Sequence, residues 1–117
     1  MITQKKANEF AQQWIKAWNS HDIDKIIAHY AKDVILVSPI AGKLLGDPEV
    51  RGLEAVKRYF LKGLEAYPNL NFKLQEVFPG EQSIVLLYLN QKGERASEFM
   101  LLDLDNKVVR MYAHYCE

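Results

Sequence analysis

The sequence contains little of what several large classes of protein require. It has a single cysteine, Cys116, so an internal disulfide is impossible and no cysteine-based metal site can form. No apolar run approaches membrane-spanning length, and the opening MITQKKANEF lacks the apolar stretch of a signal peptide. We therefore expect a soluble, cytoplasmic protein that does not bind membranes.

The chain also has no net charge, and its histidines are not spaced as the ligands of a metal site would be. Fifteen acidic residues balance fifteen basic ones, so no long-range positive field attracts nucleic acid, and we expect no nucleic-acid partner. His21, His29 and His114 are scattered, and no carboxylate stands at ligand spacing from them. We therefore expect neither a metal site nor a cofactor. Glycine-rich phosphate loops and nucleophile elbows are also absent.

Length and composition predict one folded domain. The chain has 117 residues, of which 49% are apolar, and this is enough for one packed core. It contains no internal repeat, linker or low-complexity segment. We therefore expect a single domain that covers residues 1–117.

Apolar residues at helical spacing predict three helices. The first begins after Thr3, a suitable cap, and carries Trp14 and Trp18 about one turn apart on its buried side. The second is predicted over residues 23–30 and the third over residues 52–67. Paired tryptophans of this kind are typical either of a packed core or of the wall of a pocket.

The rest of the pattern predicts strands. Residues 33–39 are typical of one early strand, and residues 39–51 predict a long loop. From residue 70 the apolar period changes to two, which predicts four antiparallel strands, at 70–78, 83–90, 95–105 and 108–116. The strand at 83–90 is expected to be buried on both faces. Segregated helices and strands indicate an α+β fold with the helices on one face of a curved sheet.

A set of short motifs supports the same arrangement. The segment begins with an aromatic residue on a helix, followed by the pattern N-x-x-D-x-D-x-[IV], a second aromatic, A-x-D and a closing proline. The matching residues, in the same order, are Trp14, Asn19, Asp22, Asp24, Ile26-Ile27, Tyr30-Ala31, Asp33 and Ser38-Pro39. This segment resembles the opening of the nuclear transport factor 2-like superfamily, which includes SnoaL-like polyketide cyclases and ketosteroid isomerases. Residues 51–56 and 106–111 resemble the family's third helix and its last hairpin. The resemblance implies a cone-shaped fold, in which three helices pack on a strongly curved, mainly antiparallel sheet around an apolar pocket.

The resemblance does not carry over the isomerase chemistry. At the positions that match the isomerase's base, tyrosine and oxyanion acid, this chain has Ser38, Trp14 and Met100. A hydroxyl group cannot replace an ionised carboxylate in proton abstraction. The sequence therefore gives no support for ketosteroid isomerase activity.

The alternation of side chains along a strand predicts that a carboxyl group, that of Glu98, faces the pocket. On the strand at 95–105, Glu98 and Met100 share one face, and the resemblance makes that face the concave one. A buried lone carboxylate has a raised pKa and can act as an acid or a base, so Glu98 is our candidate catalytic residue. In the alternative interpretation, Glu98 lies near the mouth of the pocket, solvated or paired with Arg95 or Lys73.

The remaining candidates are expected to line a cavity of roughly 300–1,000 Å³. They share an aromatic, sulfur or hydroxyl side chain at a position predicted to face inward: Trp14, Trp18, Tyr30, Ser38, Tyr59, Met100 and Tyr115. We expect this pocket to bind an apolar small molecule, either as a binding protein or as a cofactor-free isomerase, cyclase, dehydratase or hydrolase. The alternative is a protein-interaction module with a vestigial pocket. Because Tyr112 and His114 are predicted to face outward on an apolar sheet, we also expect a homodimer through that face.

Overall fold

The computed structural model describes residues 1–116 as four helices and six strands. In chain order these are α1 (Gln4–Ser20), α2 (Ile23–Ile27), β1 (Tyr30–Val37), α3 (Pro39–Leu45), β2 (Glu49–Arg51), α4 (Leu53–Ala66), β3 (Lys73–Pro79), β4 (Ser83–Leu89), β5 (Arg95–Leu102) and β6 (Val108–Tyr115). The α+β fold class expected from the sequence is confirmed. The helix count is corrected from three to four.

All six strands belong to one curved sheet that does not close on itself. Their order is β2-β1-β6-β5-β4-β3, and neighbouring strands are antiparallel except for the parallel pair β1–β6. Register shifts interrupt the pairs β1–β6, β3–β4 and β5–β6. Because such irregularities bend and twist a sheet, they help to form the concave face on which the helices pack.

Helix α1 has the caps and the buried face that its sequence predicts. The side chain of Thr3 accepts a hydrogen bond from the Lys6 backbone N–H, and His21, in a left-handed conformation, ends the helix. Between them Trp14 and Trp18 are buried, at 1% and 7% exposure. The tryptophan face of α1 is thus turned toward the concave side of the sheet.

Residues 39–51 are not the loop that the sequence predicted. Pro39 begins α3, with Ser38 as its cap, and Gly46 ends it with a φ of 81°. Proline is well suited to the first position of a helix and glycine to the residue after its last turn. Two of the four proline and glycine residues that suggested a loop, Pro39 and Gly46, thus mark the ends of a short helix. Glu49–Arg51 then pairs with β1 as the edge strand β2.

The second helix is shorter than predicted. It ends at Ile27, and Tyr30 already belongs to β1, where it pairs with Val108 of β6. The backbone N–H of Val108 donates to the carbonyl of His29 at 2.8 Å. This pairing draws residues 29 and 30 into the sheet, which overrides their local helical preference.

Strand β4 was predicted to be buried on both faces, and this is wrong for its outer face. Ile84, Leu86 and Tyr88 are buried on the concave side, whereas the residues between them are only half-buried. The reason is that the helices cover one face of the sheet and leave the other face uncovered within the described chain. None of the helices in residues 1–116 is long and apolar enough to cross a membrane.

Candidate active site

A small cavity, here called the inner cavity, lies between the helices and the concave face of the sheet. Its volume is about 80 Å³, and most of its wall is aromatic or aliphatic, including Trp14, Trp18, Phe60, Phe72 and Met111. The predicted range of roughly 300–1,000 Å³ is therefore wrong. An apolar cavity of about 150 Å³ is known to hold benzene, so the inner cavity has room for only a few non-hydrogen atoms.

Aromatic packing explains why the inner cavity is small. The ring of Phe72 stacks on Trp14 at a centroid distance of 5.9 Å and packs on Tyr88 at 4.5 Å. Trp18 in turn packs edge-on against Phe60 at 4.8 Å. The rings fill the space that a wider pocket would occupy.

The structure brings six of the eight predicted site residues together around the inner cavity: Trp14, Trp18, Ser38, Tyr59, Glu98 and Tyr115. Tyr30 and Met100 are not among the lining residues, although both are buried, at 4% and 0% exposure. Tyr30 lies behind the wall, where its hydroxyl accepts a 2.9 Å hydrogen bond from Trp14 Nε1 and contacts the sulfur of Met111. The hydroxyl of Tyr30 thus holds the Trp14 indole in place.

Glu98 is the carboxyl group of the site. It is 2% exposed, and Tyr88 Oη donates a 2.7 Å hydrogen bond to its Oε1 atom. Its second oxygen, Oε2, has no hydrogen-bond partner among residues 1–116. The alternative placement, solvated or paired with Arg95 or Lys73, does not occur. A buried oxygen left without a partner costs about 1–3 kcal/mol of stability, so a ligand that bonds to it would recover part of that cost.

The surroundings of Glu98 favour its protonated form. Burial raises the pKa of this carboxyl group from 4.5 to about 8, and the hydrogen bond from Tyr88 opposes part of that rise. Burial likewise raises the pKa of Tyr88 well above 10 and that of Tyr59 to about 12. The tyrosine hydroxyls therefore stay neutral near pH 7, whereas Glu98 can gain or lose a proton close to that pH.

Three further hydroxyl groups surround the cavity. Ser38 and Tyr59 share a 3.2 Å hydrogen bond, and the same Ser38 oxygen caps α3 by accepting from the backbone N–H of Ile40. Burial also raises the pKa of Tyr115 above its usual range, with the charge of Glu98 as the next cause. Ser38 is thus held by two hydrogen bonds, one shared with Tyr59 and one accepted from the backbone of α3.

Two contributors were missed from the sequence. Tyr88 is a diagonal neighbour of Glu98 on the same face of the sheet, because Tyr88 pairs with Ala96 and Leu86 pairs with Glu98. The other is Asn19, whose side chain donates to the carbonyl of Phe72 at 2.8 Å and accepts from its backbone N–H at 2.6 Å. Asn19 thus fixes the segment before β3 and holds Phe72 against the tryptophans.

A second cavity, here called the outer groove, adjoins the inner cavity. Its volume is about 380 Å³, and it runs past the turn between β4 and β5 and the end of β6. Its wall includes Lys43, Lys92 and Arg95, which are exposed. Within residues 1–116, no group of three histidine, cysteine, aspartate or glutamate side chains is placed to hold a metal ion.

Comparison with known proteins assigns the family. Residues 11–111 match the model of the SnoaL-like domain. The chain belongs to the SnoaL-like family. A comparison with curated proteins finds no significant match.

Solved structures agree with this assignment. A SnoaL-like protein of unknown function from Burkholderia thailandensis is 36% identical and superposes with a TM-score of 0.93, with both chains covered completely. SalBIII, described as an epoxide hydrolase/cyclase-like enzyme with a role in pyran ring formation in the polyether salinomycin, is 16% identical with a TM-score of 0.77, covering 99% of this chain and 95% of its own. TerC, crystallised with polyporic acid, is 17% identical with a TM-score of 0.77, covering 94% of this chain and 91% of its own. At these identities the last two share the SnoaL-like fold alone.

Proposed function

We propose that this SnoaL-like protein is a cofactor-free enzyme that transfers protons on a small, largely apolar molecule bearing an oxygen atom. The reaction class is isomerisation, cyclisation, dehydration or hydrolysis. Glu98 is the catalytic acid–base group, and Tyr88 positions it. The observation that carries the proposal is the unpartnered Oε2 atom of a buried glutamate in the wall of an apolar cavity.

The geometry assigns a separate task to each oxygen of Glu98. Because Oε1 accepts from Tyr88, the proton of the neutral acid resides on Oε2. Glu98 donates this proton to the substrate oxygen, and the hydrogen bond from Tyr88 then stabilises the carboxylate that forms. The carboxylate later takes a proton from a carbon or hydroxyl of the same substrate or, in a hydrolysis, from the water that forms the new carbon–oxygen bond. The acid is thereby restored, and no oxidant or reductant is consumed.

Two further observations support this proposal. A carboxyl group with a pKa of about 8 is close to the working range of a general acid at neutral pH. In addition, SalBIII, which has the same fold, is described as an epoxide hydrolase/cyclase-like enzyme. Ketosteroid isomerisation has no such support, because Ser38 offers only a hydroxyl and the inner cavity of about 80 Å³ is too small for a steroid ring.

Proton NMR in D₂O tests the proposal without knowledge of the natural substrate. Small ketones, β-hydroxy ketones and epoxides are incubated with the protein, and deuterium uptake, loss of water and ring opening are followed. We expect at least one class to react, and Glu98→Gln to lower its rate by about 100-fold, the usual weight of one acid–base group. The exposed Glu76→Gln is the matched control and should leave the rate unchanged. Unchanged turnover in Glu98→Gln would show that the mechanism is wrong.

A second candidate function is a non-catalytic assembly module. The small inner cavity favours it, and so does the uncovered outer face of the sheet, where half-buried Leu87 and Phe99 lie near exposed Tyr112. We propose that this face forms a homodimer, because extended apolar faces of this kind mark interfaces. Dimerisation is compatible with catalysis, whereas the module alone would show no Glu98-dependent turnover. A cytoplasmic location stays a prediction.

A further inference from the structure

The inner cavity and the outer groove adjoin each other. They share six lining residues, which lie at the border of both: Ile40, Tyr67, Leu70, Phe72, Tyr88 and Tyr115. The inner part is apolar apart from a few hydroxyls and Glu98, and it accepts only a few non-hydrogen atoms. The outer part is several times larger and has polar and charged walls. A ligand of more than a few non-hydrogen atoms that contacts Glu98 therefore extends into the outer groove.

Among residues 1–116, the side chains that line the outer groove carry an excess of positive charge. Lys43, Lys92 and Arg95 line it, against one acidic residue, Glu94, whose carboxylate accepts a 3.3 Å hydrogen bond from Asn90. Within residues 1–116, none of the three cations forms a salt bridge within 4.0 Å. The chain as a whole has no net charge, so this excess of positive charge is local to the groove. Lysine and arginine groups at a groove wall favour anionic ligands, and arginine binds a carboxylate with two hydrogen bonds.

The distance between Arg95 in the outer groove and Glu98 in the inner cavity sets the length of the ligand. Arg95 is the first residue of β5 and Glu98 lies three residues further along the same strand. Since a strand advances about 3.3 Å per residue, their backbones are ~10 Å apart. Arg95 lines the outer groove at the start of β5. A chain of about four carbon atoms between an oxygen-bearing head and a carboxylate covers most of this distance.

We propose that the site binds a small organic anion lengthwise, with an oxygen-bearing head against Glu98 in the inner cavity and a carboxylate against Lys92 and Arg95 in the outer groove. This proposal rests on the proposed function only for the chemistry at the head. The binding mode rests on the charge of the outer groove and on its position next to the inner cavity. The substrate class is thus an aliphatic or alicyclic acid with a carbonyl, hydroxyl or epoxide group at its far end.

The test compares two probes that differ only in charge. The keto acid 6-oxoheptanoate and its uncharged amide, 6-oxoheptanamide, are titrated against the protein, with the fluorescence of Trp14 and Trp18 as the readout. We expect the acid to bind about 10-fold more tightly than the amide, and this advantage to shrink at high salt, because exposed charges are screened. In the double variant Lys92→Gln/Arg95→Gln, the preference for the acid over the amide should be lost. Lys5→Gln/Lys16→Gln removes the same charge from exposed positions of α1 and is the matched control.

Three results would overturn the proposal: equal affinity for the two probes, no binding of either at millimolar concentration, or an equal loss of acid binding in both double variants. Glu98→Gln separates this inference from the proposed function. If the acid is preferred but Glu98→Gln leaves every turnover unchanged, the binding mode stands and the catalytic assignment fails. If only neutral molecules bind and their turnover depends on Glu98, the catalytic assignment stands and this inference fails.

Discussion

The hydroxyl of Tyr88 donates a 2.7 Å hydrogen bond to one oxygen of the Glu98 carboxyl group, while the other oxygen is buried without a partner. The pair lies on two neighbouring strands, so the rigid sheet fixes its geometry. Half of the carboxyl group is thus held by the protein and half is left for a ligand. This asymmetry is the basis of the proposed chemistry and of the first two predictions.

The first prediction concerns the pH dependence of stability. The folded-state pKa of Glu98 is about 8, whereas the unfolded value is about 4.3, so the folded protein holds this proton more tightly. Its contribution to stability is fully present below the unfolded pKa and is lost as the pH rises through the folded pKa. Between roughly pH 4.3 and 8, we expect the free energy of unfolding of the wild type to fall by a few kcal/mol.

Urea denaturation at several pH values measures this slope. Glu98→Gln cannot ionise, so its slope over the same range should be smaller than that of the wild type. The exposed Glu76→Gln is the control and should retain the slope of the wild type. Parallel slopes for the wild type and Glu98→Gln would contradict the assignment.

The second prediction concerns the hydrogen bond itself. Tyr88→Phe leaves both oxygens of Glu98 without a partner, and we expect it to lower stability by about 1–3 kcal/mol. Because the hydrogen bond from Tyr88 lowers the pKa of Glu98, its loss should raise that pKa further. The pH range over which stability is lost should therefore extend upward. A variant with the stability profile of the wild type would show that Tyr88 does not position Glu98.

The third prediction concerns the size of the inner cavity. Phe72 packs against both Trp14 and Tyr88 in the wall of the inner cavity, so Phe72→Ala should admit aromatic ligands that the wild type excludes. Since Phe72 is only partly buried, we expect the cost in stability to be below the ~3–5 kcal/mol typical of a fully buried phenylalanine. Titration with a naphthalene derivative, followed by tryptophan fluorescence, measures the gain. Phe78→Ala, at an exposed position of β3, is the control and should bind no more ligand than the wild type.

The fourth prediction concerns assembly. At micromolar concentration, light scattering should give a mass twice the 13.5 kDa of the chain, because a specific dimer persists at that concentration. Phe99 packs against Tyr112 on the outer face at a centroid distance of 6.4 Å, so Phe99→Asp should yield a monomer. Leu104→Asp, in the 92% exposed loop position before β6, should remain dimeric. A wild-type monomer at this concentration would exclude dimerisation through the sheet.

Much of the fold followed from local signals in the sequence. Thr3 caps α1, and α4 begins directly after Gly52, which has a φ of 86°, in agreement with the helix predicted over residues 52–67. The period of two placed Glu98 and Met100 on one face of β5, and the resemblance correctly identified that face as the concave one. These features depend on neighbours in sequence, whose physical preferences can be read directly.

The features that were missed depend on contacts between residues far apart in sequence, or on residue types that are typical of more than one kind of structure. The size of the inner cavity is set by Phe72, which Asn19 holds from 53 residues away, and no local pattern reveals that contact. Pro39 and Gly46 are typical of loops and also of helix ends, so α3 was predicted as a loop. Tyr88 could have been found, because the turn around Gly93 sets the register that makes it a diagonal neighbour of Glu98.

The most direct test of the account is a titration of Glu98 itself. Carbon-13 NMR of glutamate side chains follows the carboxyl signal as the pH is raised, and its absence from the spectrum of Glu98→Gln assigns it. We predict a midpoint of about pH 8, as expected for a buried carboxyl group with one hydrogen bond. A midpoint near the ordinary value of 4.5 would mean that Glu98 is ionised at neutral pH, and the proposed acid would not exist.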